Sequence, residues 1–278
     1  MEWITCPLCT GKIAQRRHQE GTYTMVRCLA CGFIYQTPRP TDKERLKSYQ
    51  AYLPRGTAEI EAWGRMMQPV FQKSADLIER HTPQGRLLDV GAGHGFFLAL
   101  MQSRGWEVMG LEASRTGARY GQKRWGLHIL SQPWEKASFH AREFDVVTAF
   151  YVIEHLPDPL AFLTEVHRIM RPGGMVVLRY PHTTPIKDIL ALMRIKNHLY
   201  HLPFHLCDFT PQSMRRALEK TGFAEIKTVI GGFTAPPNLV GRWSGIVFGN
   251  LAEILHRLSG GKIMMPGVSK TTIARKVA

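Results

Sequence analysis

The stretch Arg86-Leu-Leu-Asp-Val-Gly-Ala-Gly-His-Gly-Phe-Phe97 decides the fold of this chain. An apolar run that ends in Asp89 passes into three glycines, Gly91, Gly93 and Gly95, and an apolar segment follows. This order predicts a β-strand, a tight turn and the start of a helix, an arrangement in which backbone approaches a nucleotide-like ligand closely. Glycine suits such a turn because a Cβ would collide with the ligand or exclude the required dihedral angles.

Strand-like and helix-like segments alternate on both sides of this stretch. The predicted strands are 86–90, 106–111, 128–130, 144–150, 175–180, 224–230 and 269–276. The predicted helices among them are 94–103, 114–125, 159–170, 211–221 and 239–258. Such alternation predicts an α/β fold with a doubly wound, mostly parallel sheet of seven strands that is covered on both faces. Ligands in this fold class bind beyond the carboxyl ends of the strands, where the glycine turn lies.

Four of the five cysteines form two pairs, Cys6-Pro-Leu-Cys9 and Cys28-Leu-Ala-Cys31. Two such pairs at this spacing can bring four thiolates to one tetrahedral Zn²⁺, and four sulfur ligands leave no open position for catalysis. The pairs therefore predict a structural zinc ribbon-like module. Disulfides are the alternative, and the lack of an export signal argues against them. Cys207 is expected to be a packed thiol.

Composition shifts suggest how the chain is divided, since Pro38-Arg-Pro40 ends the cysteine-rich part. Thr41 and Glu44 are placed as the capping pair of a following helix. A second helical pattern covers 57–81, and Pro69 is expected to kink or split it. The expected units are a zinc module at 1–40, a helical linker or cap at 41–82, and a main domain at 83–278 with insertions at 181–210 and 232–268.

Glu112 ends the second predicted strand of the main domain. An acidic side chain at that position can accept hydrogen bonds from both hydroxyls of a ribose. A dinucleotide-dependent dehydrogenase uses the same device, so the residue by itself leaves the cofactor open.

Three motifs in order resemble those of the class I S-adenosylmethionine-dependent methyltransferases, types 11, 12 and 23. They are Leu88-Asp-Val-Gly-Ala-Gly-His-Gly95, Phe144-Asp-Val-Val with Glu154-His-Leu-Pro-Asp-Pro159, and Arg168-Ile-Met-Arg-Pro-Gly-Gly-Met-Val-Val-Leu178. The resemblance covers the chain from residue 87 to its end. It implies a Rossmann-like methyltransferase fold and S-adenosylmethionine as cofactor. It also implies that 269–276 is the last strand, antiparallel to the sixth, with 232–268 inserted between them.

The resemblance also implies a cofactor site. The residues expected to hold the cofactor or to face its methyl group are Asp89, Gly91, Ala92, Gly93, Gly95, Glu112, Gln132, Trp134, Phe150 and Tyr151. Among them, Glu112 is expected at the ribose and Gln132 and Trp134 beside the adenine. Tyr151, which would face the methyl donor, is also expected to be a catalytic residue. Core packing is the alternative role for Trp134.

A hydroxyl acceptor would need a base, and the sequence offers two histidines for that role. His155 is the first candidate and His205 the second. The alternative for His155 is a histidine at a helix start that packs beside the cofactor. A related quinone-type group holds Mg²⁺ with a Glu-x-x-Glu-His pattern, but Tyr151 stands here in place of the first carboxylate, which argues against a metal. The segment His201-Leu-Pro-Phe-His-Leu-Cys-Asp-Phe-Thr-Pro211 resembles one of the same group and is expected over the acceptor.

The net charge of +14 permits nucleic acid, an anionic membrane face or a phosphorylated substrate as partner, although no polybasic arm stands out. The apolar helix 239–258 lies beside basic residues, as in a substrate lid, a dimer contact or a membrane-surface anchor, and a core-covering helix is the plainer alternative. The N-terminus lacks the features of a signal peptide. We expect a cytoplasmic protein, with peripheral contact at the inner membrane face as the variant that this helix allows.

Together these features favour a methyltransferase that methylates an oxygen of a small-molecule or carrier-linked acceptor, such as a secondary metabolite, a sugar or a lipid-like compound. An RNA methyltransferase that uses the zinc module and the basic surface is the first alternative. Against this alternative, the chain lacks an Asn-Pro-Pro-Tyr-type motif for base flipping and a basic stripe with interleaved aromatic residues. An inert, zinc-stabilised binding protein is the second alternative, and the intact glycine turn and Glu112 argue against it.

Overall fold

A computed structural model describes residues 1–195, 197–234, 239–265 and 268–277. The strands are β1 (Ala14–Glu20), β2 (Tyr23–Cys28), β3 (Ile34–Gln36), β4 (Arg86–Val90), β5 (Glu107–Leu111), β6 (Ile129–Leu130), β7 (Phe144–Phe150), β8 (Met170–Tyr180), β9 (Cys207–Asp208), β10 (Phe223–Val229) and β11 (Lys270–Lys276). The helices are α1 (Asp42–Tyr52), α2 (Thr57–His81), α3 (Phe96–Ser103), α4 (Arg115–Trp125), α5 (Pro159–Ile169), α6 (Thr184–Leu192), α7 (Pro211–Lys220) and α8 (Leu239–Leu258). Residues 235–238 and 266–267 of the second predicted insertion lie outside the described residues.

A seven-stranded sheet forms the main domain, in the order β10-β11-β8-β7-β4-β5-β6. The five strands from β8 to β6 are parallel, and β11 runs antiparallel to both of its neighbours. Residues 269–276 were expected to form a last strand beside the sixth, and β11 confirms this. The doubly wound, mostly parallel sheet is confirmed as well.

Helices cover both faces of this sheet, which explains why its central strands are apolar almost throughout. On one face, Leu163 of α5 and Met214 of α7 are fully buried in a core shared with β7 and β8. On the other face, Val70 of α2 and Leu98 of α3 are equally buried. Parallel strands that are covered on both sides read as continuous apolar runs rather than as alternating ones.

The zinc-module strands belong to a second sheet, in the order β1-β2-β3-β9. Its last strand comes from the predicted 181–210 insertion, and Tyr35 of β3 pairs with Cys207 of β9. Phe33 packs against Phe209 with ring centroids 5.0 Å apart, within the core that also contains β7 and β8. The first 40 residues are thus joined to the main domain by both a β-ladder and a shared core.

The helices before the main sheet begin as the sequence predicts. Thr41 accepts a hydrogen bond from the backbone of Glu44, whose side chain accepts one from the backbone of Thr41, so the capping box is confirmed. Helix α2 continues through Pro69, and the predicted split does not occur. Val70 and Phe71 are buried directly after the proline, and packing of this kind stabilises most protein helices more than local propensity does. No helix within the described ranges is long and apolar enough to cross a membrane.

Candidate functional site

A cavity of about 690 Å³ lies at the carboxyl ends of β4, β5 and β7. Its floor includes Asp89 at the end of β4, Glu112 after β5 and Phe150 at the end of β7. Helices α1 and α2 contribute further lining residues from the opposite side. Pockets of several hundred cubic ångströms with a few polar groups among apolar side chains are typical of small-molecule sites.

The glycine turn wraps around the end of β5. The backbone N–H groups of Gly91 and Ala92 both donate to the carbonyl of Leu111, at 2.7 and 3.0 Å. The next N–H, of Gly93, donates to a carboxylate oxygen of Glu112 at 2.8 Å. The turn and the acidic residue therefore form one hydrogen-bonded unit, and both line the cavity.

The three glycines of the turn have different reasons to be glycine, although all three have positive φ. A Cβ on Gly91 would lie 2.3 Å from Val152, and one on Gly95 would lie 2.7 Å from Leu127. A Cβ on Gly93 would have no neighbour closer than Leu53, at 4.0 Å, and would therefore project into the cavity. Gly93 is the glycine against which a ligand can lie.

Gly95 does not belong to the cavity lining, so its expected contact with the cofactor is not supported. It is the residue before α3 and packs against α4 and β6, with Gly121 and Ile129 as neighbours. Its small size allows close packing between elements rather than close approach of a ligand.

Two buried carboxyl groups form the polar floor. Glu112 accepts a second hydrogen bond from the backbone of Ser114 at 2.7 Å, and burial raises its pKa. Asp89 accepts a hydrogen bond from the hydroxyl of Thr148 at 2.6 Å, and burial raises its pKa to about 7. Each carboxylate of this type can accept up to about four hydrogen bonds, so both can still bind ligand hydroxyl or amino groups.

The predicted adenine side consists of residues that follow β6. Gln132 and Trp134 both line the cavity. The indole of Trp134 also packs edge-on against Phe162, with ring centroids 4.8 Å apart. It therefore faces the cavity and the core at once, which accommodates both roles considered for it.

Phe150 and Tyr151 lie where β7 ends. Phe150 is largely buried and packs against Phe97 and Phe71, with centroids 4.7 and 5.5 Å away. Tyr151 has a φ of 58°, in the left-handed region, and its backbone N–H donates to the carbonyl of Arg179 at 2.7 Å. Both residues line the cavity.

The two candidate bases lie side by side. The rings of His155 and His205 are 4.8 Å apart and nearly perpendicular. Nδ1 of His155 lies 2.9 Å from the carbonyl oxygen of Phe204, and because a carbonyl only accepts, Nδ1 carries the proton and Nε2 the lone pair. Burial lowers the pKa of His155 to about 4 and lowers that of His205 as well, so both rings are neutral near pH 7.

Glu154 completes this group. Candidate ligand atoms of Glu154, His155 and His205 lie within 4.8 Å of one another. Neither carboxylate oxygen of Glu154 has a hydrogen-bond partner in the part of the chain that the structure describes. Burial, followed by the charge of Asp208, raises the pKa of Glu154 to about 8. The carboxyl is therefore protonated near neutral pH and can donate a hydrogen bond.

The other two histidines between α6 and α7, His198 and His201, lie in different environments. His201 lines the cavity and packs against His205 with ring centroids 5.1 Å apart. His198 is exposed and lies 3.2 Å from Glu20 of the first strand. Of these histidines, His201 therefore lies beside His205 at the cavity, whereas His198 contacts the first strand.

The four cysteines of the two pairs form a second group of ligand atoms within 4.8 Å of one another. The sulfur of Cys6 lies 3.6 Å from that of Cys31, and the sulfur of Cys9 lies 3.5 Å from that of Cys28. Tetrahedral zinc with ordinary Zn–S bonds needs sulfurs about 3.8 Å apart, whereas a disulfide bond is about 2 Å long.

The surroundings of these sulfurs fit a metal as well. A Cβ on Gly11 would lie 3.0 Å from the sulfur of Cys28 and 3.2 Å from that of Cys9. Glycine thus leaves the space that the sulfur cluster needs. The geometry suits a structural zinc ion held by four thiolates, and it does not suit the disulfide alternative.

Several residues that line the cavity lie outside every motif, so the sequence alone does not reveal them. Tyr49 of α1 donates from its hydroxyl to the backbone carbonyl of His155 at 2.9 Å. Trp63 and Phe71 of α2 line the cavity, so this helix before β4 forms part of the cavity wall. His182 also lines the cavity and is buried. The sequence signal of Trp63 and Phe71 is a helical apolar pattern, which does not distinguish a cavity wall from a core, and Tyr49 and His182 carry no such pattern.

Comparison with known proteins places these observations in context. A family model described as "Methyltransferase domain" matches residues 62–228, more than half of the chain. A protein of Pseudomonas aeruginosa named ubiquinone biosynthesis O-methyltransferase is 30% identical over 156 residues, which are 52% of this chain and 67% of that protein. A protein of the same name from Cereibacter sphaeroides is 30% identical over 146 residues, 49% of this chain and 59% of its own length.

Solved structures show the same fold. A methyltransferase of Thermotoga maritima, described as a possible histamine N-methyltransferase, superposes with a TM-score of 0.56 at 16% identity, over 84% of this chain and 99% of its own. The phosphoethanolamine N-methyltransferase 2 of Haemonchus contortus, solved with S-adenosyl-L-methionine, gives 0.54 at 16% identity, over 95% of this chain and 71% of its own. The predicted Rossmann-like fold is confirmed.

Proposed function

This chain belongs to the methyltransferase domain family and is an S-adenosylmethionine-dependent methyltransferase, and from that premise we propose that it methylates a hydroxyl oxygen of a small or carrier-linked acceptor. The observation that carries the choice of oxygen is the neutral His155 ring, whose Nδ1 is held by the carbonyl of Phe204 beside the cavity. The names of the O-methyltransferase relatives support the same choice.

The cavity provides a cofactor wall and an acceptor wall. Gly93 and Glu112 lie on the cofactor wall, where the glycine leaves room and the carboxylate can accept from ribose hydroxyls. Gln132 and Trp134 would border the adenine. When bound, S-adenosylmethionine supplies a methyl group that its sulfonium charge already activates, so the protein mainly has to align the acceptor.

The acceptor wall consists of His155, His205 and Glu154, whose side chains can accept or donate a proton. Nε2 of His155 carries a lone pair and is the first candidate to take the acceptor's proton. His205 is the second candidate and packs against His155. Glu154, protonated near neutral pH, can donate a hydrogen bond to the same region.

The apolar surface of α8 supports an amphiphilic acceptor. Trp243, Val247, Phe248 and Leu258 are each more than half exposed. The one acidic residue of α8, Glu253, forms an ion pair with Lys73 of α2, which leaves Arg257 and Lys262 as exposed cations on this segment. Apolar side chains beside exposed cations match the surface of an anionic bilayer, so we infer that α8 contacts a membrane or the lipid-like part of the acceptor.

One experiment tests the proposed reaction. The full chain would be incubated with methyl-deuterated S-adenosylmethionine in three separate reactions. One contains ortho-dihydroxyphenyl compounds, the second hydroxylated lipid extracts and the third total RNA. The products would be analysed by mass spectrometry. The proposal predicts a labelled O-methyl ether in one of the first two sets. Label found only in RNA, and lost steeply as salt rises, would favour the nucleic-acid alternative instead.

A further inference from the structure

A buried cation lies behind the acceptor side of the cavity. Arg179, near the end of β8, is 1% exposed. Its guanidinium donates to the Tyr151 hydroxyl and the Thr271 hydroxyl, both at 2.9 Å. It also donates to three backbone carbonyls, those of Ile230, Gly231 and Gly232, at 2.9 to 3.0 Å.

All of these acceptors are neutral. Burial of a charged guanidinium costs free energy that neutral partners repay only in part, and removal of a buried charge's partner is typically expensive. A permanently charged group at this depth therefore suggests a functional demand for positive charge. Among the five residues that supply these acceptors, Tyr151 is the one that also lines the cavity.

The geometry of Tyr151 fixes what its hydroxyl can do. Nε of Arg179 donates to the phenol oxygen, and the guanidinium carbon lies 5.6 Å from the ring centroid. Because the oxygen already accepts from a cation, its own proton is left to donate elsewhere. A donor polarised by a neighbouring charge forms stronger hydrogen bonds than a neutral one does.

We propose that Tyr151 donates a hydrogen bond to the acceptor oxygen and stabilises it as an oxyanion, and that Arg179 positions and polarises this phenol. In the step concerned, the acceptor O–H bond breaks, its proton moves to a histidine lone pair, and Tyr151 keeps its own proton. Tyr151 is then a catalytic residue and Arg179 a positioning residue. The inference rests on the proposed transfer to oxygen.

A purely structural role for Arg179 makes a different prediction. In that case the guanidinium only ties Gly231 and Gly232 to the end of β8. Loss of the Tyr151 hydroxyl would then leave ionisation of a bound phenol unchanged. Oxyanion stabilisation instead predicts that a bound phenol ionises at lower pH than it does in water.

The probe is 4-nitrophenol, bound to the full chain together with S-adenosylhomocysteine. Only its ionised form is coloured, so absorbance against pH gives the pKa of the bound probe without turnover. We expect the wild-type protein to lower the pKa of the bound probe by about one unit relative to water, which is a tenfold preference for the anion. Tyr151→Phe should abolish the shift, and Arg179→Lys should keep part of it because the ammonium still donates.

Tyr120→Phe is the matched control, because its phenol bonds to Glu61 and the residue is not part of the cavity lining. A full shift in Tyr151→Phe, no shift in the unchanged protein, or no binding at millimolar probe would each overturn the proposal. If Arg179→Lys fails to fold, Tyr151→Phe decides alone. Failure of methyl transfer to oxygen in the labelled assay would be a separate result, since the titration does not depend on it.

Discussion

Tyr35 of the zinc module and Cys207 of β9 are partners in one β-ladder. Two residues before Cys207 stands His205, a candidate base. The neighbouring backbone is held from both sides. The backbone N–H of Gln36 donates to the carbonyl of Leu206 at 2.8 Å, and the backbone N–H of Leu206 donates to the carbonyl of Glu154 at 2.7 Å. The zinc module is therefore bonded to the backbone next to His205, and through Leu206 to that of Glu154.

Removal of zinc should consequently impair turnover much more than cofactor binding. Replacement of Cys9 by Ser loosens β3 and with it His205, and a misplacement of catalytic groups by about 1 Å can cost roughly 100-fold in rate. The glycine turn and Glu112 lie on other strands, so affinity for S-adenosylhomocysteine should change less than about threefold. Calorimetric titration and the labelled-methyl assay measure the two quantities.

Cys207→Ala is the matched control for this prediction, since it removes a buried thiol that is not among the four clustered sulfurs. It should bind as much zinc as the unchanged chain does. Equal loss of cofactor affinity and turnover in Cys9→Ser would show that the zinc module supports the whole domain rather than the acceptor wall.

The glycine turn predicts opposite outcomes for two similar substitutions. Gly93→Arg should abolish cofactor binding with modest loss of stability, because its side chain enters the open cavity. Gly95→Ala should lower the free energy of unfolding by about 2 kcal/mol or more, since its Cβ meets Leu127 at 2.7 Å and its φ of 80° strains a non-glycine residue. Thermal melts together with calorimetry separate the two effects.

His155 should act as a base down to unusually low pH. Burial lowers its pKa to about 4, so the neutral form that can accept a proton persists as pH falls below the ordinary value of 6.5. The acid limb of kcat should therefore lie well below pH 6. His155→Gln should lower kcat by roughly 100-fold or more. An acid limb near 6.5 in the unchanged enzyme would contradict this assignment.

Glu154 should make the fold less stable as pH rises. The pKa of this carboxyl is 4.5 in the unfolded chain and about 8 in the folded one, so the folded chain binds more protons between these values. Stability is then highest below the unfolded pKa and is lost as pH rises through the folded one, by an amount on the order of a few kcal/mol. Urea unfolding of the unchanged chain and of Glu154→Gln measures it, and the variant should show a flatter dependence.

The exposed face of α8 predicts binding to anionic vesicles. The chain should sediment with vesicles that contain phosphatidylglycerol and much less with pure phosphatidylcholine, because apolar insertion and basic residues act together. Trp243→Ser with Phe248→Ser should weaken binding roughly tenfold. Ile13→Ser is the matched control, as that side chain is 69% exposed on the zinc module. If the chain instead dimerises in solution and the α8 variants abolish the dimer, this face of α8 binds a second copy of the chain rather than a membrane.

The parts of the site that sequence reasoning found are those whose residues are adjacent along the chain. The turn around Gly93 and the pair Glu154-His155 have a fixed local order, so the motif reveals them. Gly95 was assigned to the ligand because spacing alone does not distinguish a glycine that faces a cavity from one that allows helix packing. Arg179 follows a run of apolar residues and resembles an ordinary charge at a strand end, and only the tertiary fold shows that it is buried.

The contacts that hold the acceptor wall in place were less predictable for the same reason. Strand β9 has two residues, too few to show any periodicity, and its partner lies in the first 40 residues. Tyr49 reaches His155 from a polar helix without an apolar face, which gives no sign of a site. Such contacts depend on how distant segments meet.

Arg179 has one further consequence, because its hydrogen bonds run in two directions. It orients Tyr151 on one side, and on the other it holds Gly232, whose N–H donates to Glu253 of α8 at 3.2 Å. Any shift of α8 that moves this backbone changes the hydrogen bonds of the guanidinium that positions the phenol. An enzyme built in this way can respond to arrival at an interface with a change in rate as well as in location, which is the behaviour known as interfacial activation.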